Sequence, residues 1–233
     1  MSTGAAELLE IYEATGDENA FREAKRLYEE AITETSDAAL LTGYGYLLEC
    51  HGRNWLRQAV RHYERAIELD PMADKPHYQH SNALAGLLDA DDAVALHEHR
   101  LAASPGDVRE HRFLASAYVA ARRHRDAGRI VEAGLRLAAD DPVLIALRGE
   151  SRAGADDVEG ALADWRRAVE LEPEDIGPLF SSAFLLERAG RIDEAVAAWG
   201  AIVAWNESRG YDLQAEWPRR ELARVHLVRD DLA

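Results

Sequence analysis

Apolar residues recur along this chain at helical spacing, and no stretch shows the strict alternation of apolar and polar residues that is typical of a half-buried strand. In residues 74–107, for example, Tyr78, Ser81 and Ala85 lie three or four residues apart and share one face of a predicted helix. A second predicted helix follows within the same segment, from about Asp92 to Ala103. The pattern predicts an all-α chain built from pairs of helices.

The predicted helices are separated by residues that end or begin helices. Ser104-Pro105-Gly106 is expected to stop one helix, while Asp107 and Asp141 suit the N-caps of the helices that follow them. Turns inside the pairs are marked by glycines, for which a positive φ costs little: Gly52, Gly154 and Gly190.

One small residue repeats with a constant period. Alanines stand 35, 34, 34, 34 and 34 residues apart, at Ala24, Ala59, Ala93, Ala127, Ala161 and Ala195. Such self-similarity is typical of a stack of identical units, each of which buries its apolar face against its neighbours. A small side chain at a fixed place lets two helices approach closely, so we expect these alanines at the contact between the paired helices.

Other residues follow the alanines in register. Four residues later come Tyr28, Tyr63, Trp165 and Trp199, and three residues beyond that come Ala31, Ala66 and Ala168. Units often close on a proline: Pro71, Pro105 and Pro173. This pattern resembles the second helix of the tetratricopeptide repeat (TPR) family. The first helix agrees less fully, although small residues stand at the expected place at Ser81, Ala115, Gly149 and Ala183.

The resemblance covers about residues 3–208 and implies a right-handed α-solenoid of antiparallel helix pairs in a single domain, 1–233. The expected repeats are 3–37, 38–73, 74–107, 108–141, 142–175 and 176–209. A capping helix is expected over about 211–231, and Trp217-Pro218 marks its expected start because proline is tolerated in a first helical turn.

In the family, the first helices of the pairs line a concave groove that holds a peptide or protein segment. Helical spacing at i, i+3 and i+7 places three sets of residues there: Lys75, Tyr78 and Asn82; Arg109, Arg112 and Ser116; and Val143, Ala146 and Glu150. The first two sets are partly basic and would suit an acidic or C-terminal segment. The alternative is that these cations are solvated or paired with neighbouring Asp and Glu.

The net charge of −16 argues against nucleic-acid binding through broad phosphate neutralisation. The acid is concentrated at the start, where residues 1–37 hold ten Asp/Glu and three Arg/Lys. No apolar run is long enough for a membrane span, and the N-terminus lacks a signal-peptide pattern, so we expect a cytoplasmic protein with no membrane partner. The single Cys50 fits that compartment and is expected to be a small core or semi-buried residue.

Histidines crowd one stretch: His77, His80, His97, His99, His111 and His124. One interpretation is a metal site or a pH-sensitive joint between repeats. The other is that histidine replaces aromatic residues at packing positions and is partly wet. No recognised ligand spacing is present, which favours packing and predicts no metal.

No nucleophile elbow, P-loop or zinc-protease motif is present, so the sequence predicts neither catalytic residues nor a cofactor. The predicted function is a non-enzymatic scaffold or adaptor that binds a peptide or protein. Two alternatives stay open. One is a homo-oligomer formed through an end of the array, where Trp205 and Trp217 are candidates for exposure. The other is an accessory protein with a ligand or metal at the histidine-rich junction.

Overall fold

A computed structural model describes residues 3–34, 37–51, 53–87 and 90–232. Within these residues the chain forms thirteen α-helices and no strand. The helices divide between two compact units, Met1–Ala121 and Arg122–Ala233. The predicted repeat boundaries and the prediction of a single domain stay predictions.

The first unit is a run of helices in which each described helix packs against the next, and the odd-numbered helices α1, α3, α5 and α7 also contact one another in sequence. The odd-numbered helices are the first helices of the predicted pairs. The seven helices are α1 (Thr3–Thr15), α2 (Glu18–Glu34), α3 (Ala38–His51), α4 (Arg53–Leu69), α5 (Asp74–Leu87), α6 (Ala90–Ala103) and α7 (Val108–Ala120).

The second unit continues in the same way, with each helix packed on the next. At its end Leu222 and Val225 of the last helix pack against the buried cluster that contains Trp199 and Ile202. That last helix begins with Glu216, and Pro218 is fully buried in its first turn. The helices are α8 (His124–Leu135), α9 (Pro142–Gly154), α10 (Val158–Leu171), α11 (Gly177–Arg188), α12 (Ile192–Ser208) and α13 (Glu216–Leu232).

The repeated alanines lie in the core, as their spacing predicts. All six are at most 1% exposed. The aromatic residues four positions later, Tyr28, Tyr63, Trp165 and Trp199, are buried as well. Two of these rings lie against a glycine of the paired helix: a Cβ added to Gly45 or Gly149 would lie 2.5 Å from Tyr63 or Trp165. The small residues of the first helices therefore make room for the large residues of the second.

Most of the predicted helix boundaries are confirmed. Asp107 accepts a hydrogen bond from the backbone N–H of Arg109, and Asp141 accepts one from Leu144, so both cap the helices that follow. The helix α6 ends at Ala103, directly before Ser104-Pro105-Gly106.

One turn glycine was predicted wrongly. Gly190 has the expected positive φ of 71°, whereas Gly154 is the last residue of α9 and the positive φ nearby belongs to Asp156, at 62°. Gly154 serves a different purpose, because any Cβ there would lie 2.3 Å from the ring of His124. Gly52 lies outside the described residues.

The structure bears on the predicted burial of Cys50 and on the predicted lack of a membrane span. Cys50 is exposed on α3, so the prediction of a core or semi-buried thiol is wrong. Among the described helices, none is long and apolar enough to cross a membrane.

Candidate functional site

Six of the nine residues that helical spacing places in the groove lie on two neighbouring helices of the first unit. On α5, Lys75 and Asn82 are exposed and Tyr78 is half-buried. On α7, Arg109 is exposed while Arg112 and Ser116 are half-buried. Because α5 and α7 pack against each other, these stripes lie side by side.

Two contacts hold the stripes together. The Arg112 guanidinium lies 3.5 Å from the Asp74 carboxylate, and Tyr78 meets Phe113 edge to face with 5.8 Å between ring centroids. Phe113 itself is fully buried and belongs to the core.

The two arginines of this surface are paired with carboxylates of the same chain. Arg109 donates to both carboxylate oxygens of Asp107, at 3.3 and 3.2 Å, and these hydrogen bonds hold the pKa of Asp107 below its ordinary value. Arg112 pairs with Asp74. The interpretation that the cations pair with neighbouring acids therefore holds for Arg109 and Arg112, although such solvent-accessible pairs contribute little and exchange readily.

A cavity of about 460 Å³ lies beside this surface, among the first helices α1, α3 and α5. Its walls use the same i, i+3, i+7 spacing that places Lys75, Tyr78 and Asn82 on α5. The stripe on α1 is Ala6, Leu9 and Glu13, the stripe on α3 is Ala39, Thr42 and Tyr46, and Lys75 closes the cavity from α5. We call the stripes on α1, α3, α5 and α7 together the first-helix face.

The polar groups of the cavity are mainly acidic. Glu10, Glu13 and Asp70 contribute carboxylates, and Lys75 contributes an ammonium group that lies 5.8 Å from the centre of the Tyr46 ring. The Tyr46 hydroxyl donates a hydrogen bond to Glu13. Burial, and then this hydrogen bond, raises the pKa of Tyr46, so the hydroxyl keeps its proton and orients the carboxylate.

Sequence reasoning missed Glu10, Glu13, Tyr46 and Asp70, although a signal was present. The signal is the i, i+3, i+7 spacing, which recurs N-terminal to Lys75 on α3 and α1. Aligning the predicted repeats 38–73 and 74–107 at their first residues puts Tyr46 at the place of Asn82, whereas the same alignment of repeat 3–37 puts Ile11 there and not Glu13. Asp70 lies in the connection before α5, where helical spacing gives no guidance.

The other three predicted residues, Val143, Ala146 and Glu150, lie on α9 in the second unit. The Ser181 hydroxyl of α11 donates to the Glu150 carboxylate at 2.6 Å, and burial raises the pKa of Glu150. The role of Glu150 in binding stays a prediction.

An aromatic patch lies on α11 and α13 of the second unit. Phe184 is 47% exposed and Trp217 is 39% exposed, and Trp217 stacks on the half-buried Phe180 with 5.5 Å between ring centroids. Of the two tryptophans that were candidates for exposure, Trp217 is exposed. Trp205 is half-buried instead, because its indole N–H donates to the Pro173 carbonyl at 3.0 Å and Arg209 covers its ring.

The histidines of the first unit include a buried pair. His77 and His97 are fully buried with 5.2 Å between ring centroids, and His77 stacks on Phe113 at 4.1 Å. The packing interpretation is therefore confirmed for this pair, but the expectation that they are partly wet is wrong. His111 is also buried, and its Nδ1 lies 3.0 Å from the carbonyl oxygen of Asp107, the residue that caps its helix.

The remaining histidines do not assemble into a ligand set. His99 is exposed on α6, while His124 belongs to the second unit. Among the residues that the structure describes, no group of three or more His, Cys, Asp or Glu side chains has an arrangement that would hold a metal ion.

Comparison with known proteins bears on the fold. No protein-family model matches the sequence, and no curated protein matches it. Among solved structures, TTC0263, a thermophilic TPR protein from Thermus thermophilus, is similar with a TM-score of 0.60 and 21% identity over 82% of this chain and 99% of that chain. A chain of the APC/C hetero-tetramer Cut9–Hcn1 matches with a TM-score of 0.51 and 14% identity over 92% of this chain and 44% of that chain.

These structural similarities agree with the helix pairs, the buried alanines and the buried aromatic residues described above. The chain has the tetratricopeptide repeat fold. A MamA fragment from Desulfovibrio magneticus RS-1 is also similar, with a TM-score of 0.47 and 22% identity over 73% of this chain and 96% of that chain. The first-helix face is the surface of this fold on which the predicted groove residues lie beside a cavity, and Lys75 is the one of them that lines it.

Proposed function

We propose that the protein is a non-enzymatic scaffold that binds an extended segment of a partner protein along the first-helix face of residues 3–121. The observation that carries this proposal is the cavity among α1, α3 and α5, whose walls continue the stripe that the sequence assigned to partner binding. Its volume falls in the range of roughly 300–1,000 Å³ that is typical of ligand sites.

The segment would extend from the cavity to the surface of α5 and α7. The Asn82 amide could hydrogen-bond the backbone of the segment, and the Tyr78 ring could pack against it. Arg109 and Arg112 would leave Asp107 and Asp74 and pair with carboxylates of the partner instead. This end of the face is where an acidic or C-terminal part of the segment would bind.

Affinity selection tests the proposal. A library of random peptides displayed on phage is selected against the purified chain, and the binding of each selected peptide is measured by fluorescence anisotropy. The variant Arg112→Glu is expected to weaken binding about tenfold, because it places a carboxylate where the partner's acid would lie. The matched control is Arg65→Glu on the second helix α4, whose arginine pairs with Glu68 three residues away.

Two results would contradict the proposal. One is that no peptide is selected above the background of an unrelated protein. The other is that Arg112→Glu and Arg65→Glu weaken binding equally, since the effect would then be one of net charge and not of the first-helix face.

A second candidate function is self-association through the aromatic patch of Phe180, Phe184 and Trp217. Exposed aromatic clusters of this kind are enriched at protein interfaces. Light scattering over a hundredfold range of concentration tests it. A mass that rises with concentration, and falls back in Trp217→Ser, would favour self-association, whereas a constant monomer mass would exclude it.

A further inference from the structure

The cavity on the first-helix face has walls of two chemical kinds. Leu9, Ala39 and Pro76 give it apolar walls, and Leu9 is 8% exposed. Carboxylates of Glu10, Glu13 and Asp70 belong to the same cavity. An occupant that matches both kinds needs an apolar stem and a positively charged head.

Charge distinguishes this cavity from the neighbouring surface of α5 and α7. Three acidic side chains and one basic side chain line it, so its formal charge is −2. A cleft lined mostly by one sign of charge concentrates its field and raises the local concentration of counter-ions. The surrounding chain adds to this field, since residues 1–37 hold ten acidic residues and three basic ones.

The carboxylate of Glu13 is held in place before any ligand arrives. The Tyr46 hydroxyl donates to it across the contact between α1 and α3. Lys75 lies over the Tyr46 ring, where it gains a cation–π contact. The polar end of the cavity is therefore organised around Tyr46, and an incoming group loses less entropy on binding to ordered partners.

We infer that the cavity receives the side chain of a lysine or arginine of the bound segment. The methylene stem packs against Leu9, Ala39 and Pro76, and the head group donates to the carboxylates. An acidic side chain would face three like charges at the same place, which disfavours it. This inference rests on the proposed function, and it adds a basic residue to a segment whose acidic part lies on α7.

The test removes positive charge from the ligand while keeping its apolar stem. In a peptide obtained by the phage selection, each arginine in turn is replaced by citrulline and each lysine by norleucine. Replacement at one position is expected to weaken binding about tenfold, because one charge-assisted contact is lost. This arm uses the unaltered protein, so it does not depend on whether a variant folds.

A second arm changes the cavity. The double variant Glu10→Gln/Glu13→Gln keeps the side-chain shape and leaves Tyr46 a hydrogen-bond acceptor. The matched control is Glu7→Gln/Glu18→Gln, which removes the same charge from exposed positions that do not line the cavity. We expect the selected peptide to bind the cavity variant about tenfold more weakly than the wild type, and to bind the control variant within twofold of the wild type. If the peptide's charge acts through the cavity, the uncharged peptide should bind the cavity variant as tightly as the charged peptide binds it.

The outcomes separate this inference from the proposed function. If selected peptides are sensitive to Arg112→Glu but tolerate every citrulline and norleucine replacement, the inference is overturned and the proposed function stands. The inference is likewise overturned, and the proposed function stands, if the citrulline or norleucine replacement lowers the peptide's affinity for the cavity variant as much as its affinity for the wild type. If no peptide is selected at all, both are overturned.

Discussion

At the scale of single residues, the turns inside the helix pairs show where this sequence is strained. Arg122, Asp156 and Gly190 have φ values of 57°, 62° and 71°, which lie in the left-handed region. Only Gly190 carries no Cβ that would oppose this conformation. A positive φ therefore recurs at three equivalent turns, but glycine, the residue that adopts it most easily, stands at only one of these three positions.

The turn geometry predicts opposite effects for two exchanges. Asp156→Gly should raise the free energy of unfolding by about 0.5–1 kcal/mol, because it removes the strain of a positive φ at an exposed residue. Gly190→Asp should lower it by a similar amount. Urea unfolding of both variants measures the change, and an equal sign for the two would contradict the explanation.

The buried histidines His77 and His97 make the stability of the first unit depend on pH. The pKa of His97 is lowered to about 3 and that of His77 to about 4, mainly by burial and in part by nearby Arg100, while the Pro71 carbonyl and Glu110 oppose the lowering at His77. Because the folded values lie below the ordinary value of about 6.5, their neutral forms contribute stability fully above pH 6.5. That stability is lost as the pH falls from 6.5 toward 4.

The variant His97→Phe tests this dependence. Among the residues that the structure describes, neither ring nitrogen of His97 has a hydrogen-bond partner although both are buried, and four other repeats carry Tyr or Trp at this place. The exchange should raise the free energy of unfolding at pH 7 by about 1–3 kcal/mol. It should also reduce the loss of unfolding free energy that occurs as the pH falls from 6.5 to 5, by up to about 1.4 kcal/mol per pH unit. Urea midpoints at both pH values give the result, and an unchanged pH slope would contradict the assignment.

At the scale of helices, the pairs are held by a large ring lying on a glycine. Trp165 of α10 donates its indole N–H to the Ala146 carbonyl of α9 at 3.1 Å, and it fills the space above Gly149. The two helices are therefore fixed by packing and by a hydrogen bond at the same point.

Alanine at two helical glycines should change stability in opposite directions. Gly149→Ala places a Cβ 2.5 Å from Trp165 and should cost about 1–3 kcal/mol of unfolding free energy. Gly200→Ala on α12 meets no described atom beyond its own helix backbone within 4 Å and should gain up to about 1 kcal/mol from helix propensity. Thermal unfolding measures both; stabilisation by Gly149→Ala would show that α9 and α10 are not held as described.

The same two helices share an ion network on their polar side. Asp164 of α10 is 4% exposed and accepts from Arg148 and Arg152 of α9, with shortest distances of 2.7 Å to each. Each partner binds through a charge-assisted hydrogen bond, which is stronger than a neutral one.

Loss of the Asp164 charge should therefore be costly. Asp164→Asn is expected to lower the free energy of unfolding by about 2 kcal/mol, because two cations lose their counter-charge and one acceptor oxygen is replaced by an NH2 donor. Glu170→Gln provides the control, since Glu170 makes an exposed pair with Arg167 and its loss should cost less than about 0.5 kcal/mol. Equal losses in urea unfolding would argue against a special role for the buried acid.

At the scale of the whole molecule, the sequence was sufficient for the fold because the period repeats the same contact. The alanines, the aromatic residues after them and the small residues opposite them all report one packing arrangement, and the structure places them together. Turn details were less predictable: the positive φ lies at Asp156 and not at Gly154, whose missing Cβ makes room for the ring of His124.

The candidate site was predicted only in part. Lys75 was identified by spacing, but the cavity depends on how α1, α3 and α5 stack, which spacing within one helix does not determine. The contact of Glu13 with Tyr46 joins residues of two different pairs, and Asp70 comes from a connection. The pairing of Arg109 and Arg112 with Asp107 and Asp74 likewise follows from side-chain placement and not from the pattern.

Hydrogen–deuterium exchange of the chain, with and without a selected peptide, tests the central claim most directly, because it locates the partner without altering the protein. A segment bound along the first-helix face should slow amide exchange in α1, α3, α5 and α7 and leave α2, α4 and α6 unchanged. Slowed exchange confined to the second helices α2, α4 and α6, or to residues 122–232, would contradict the claim.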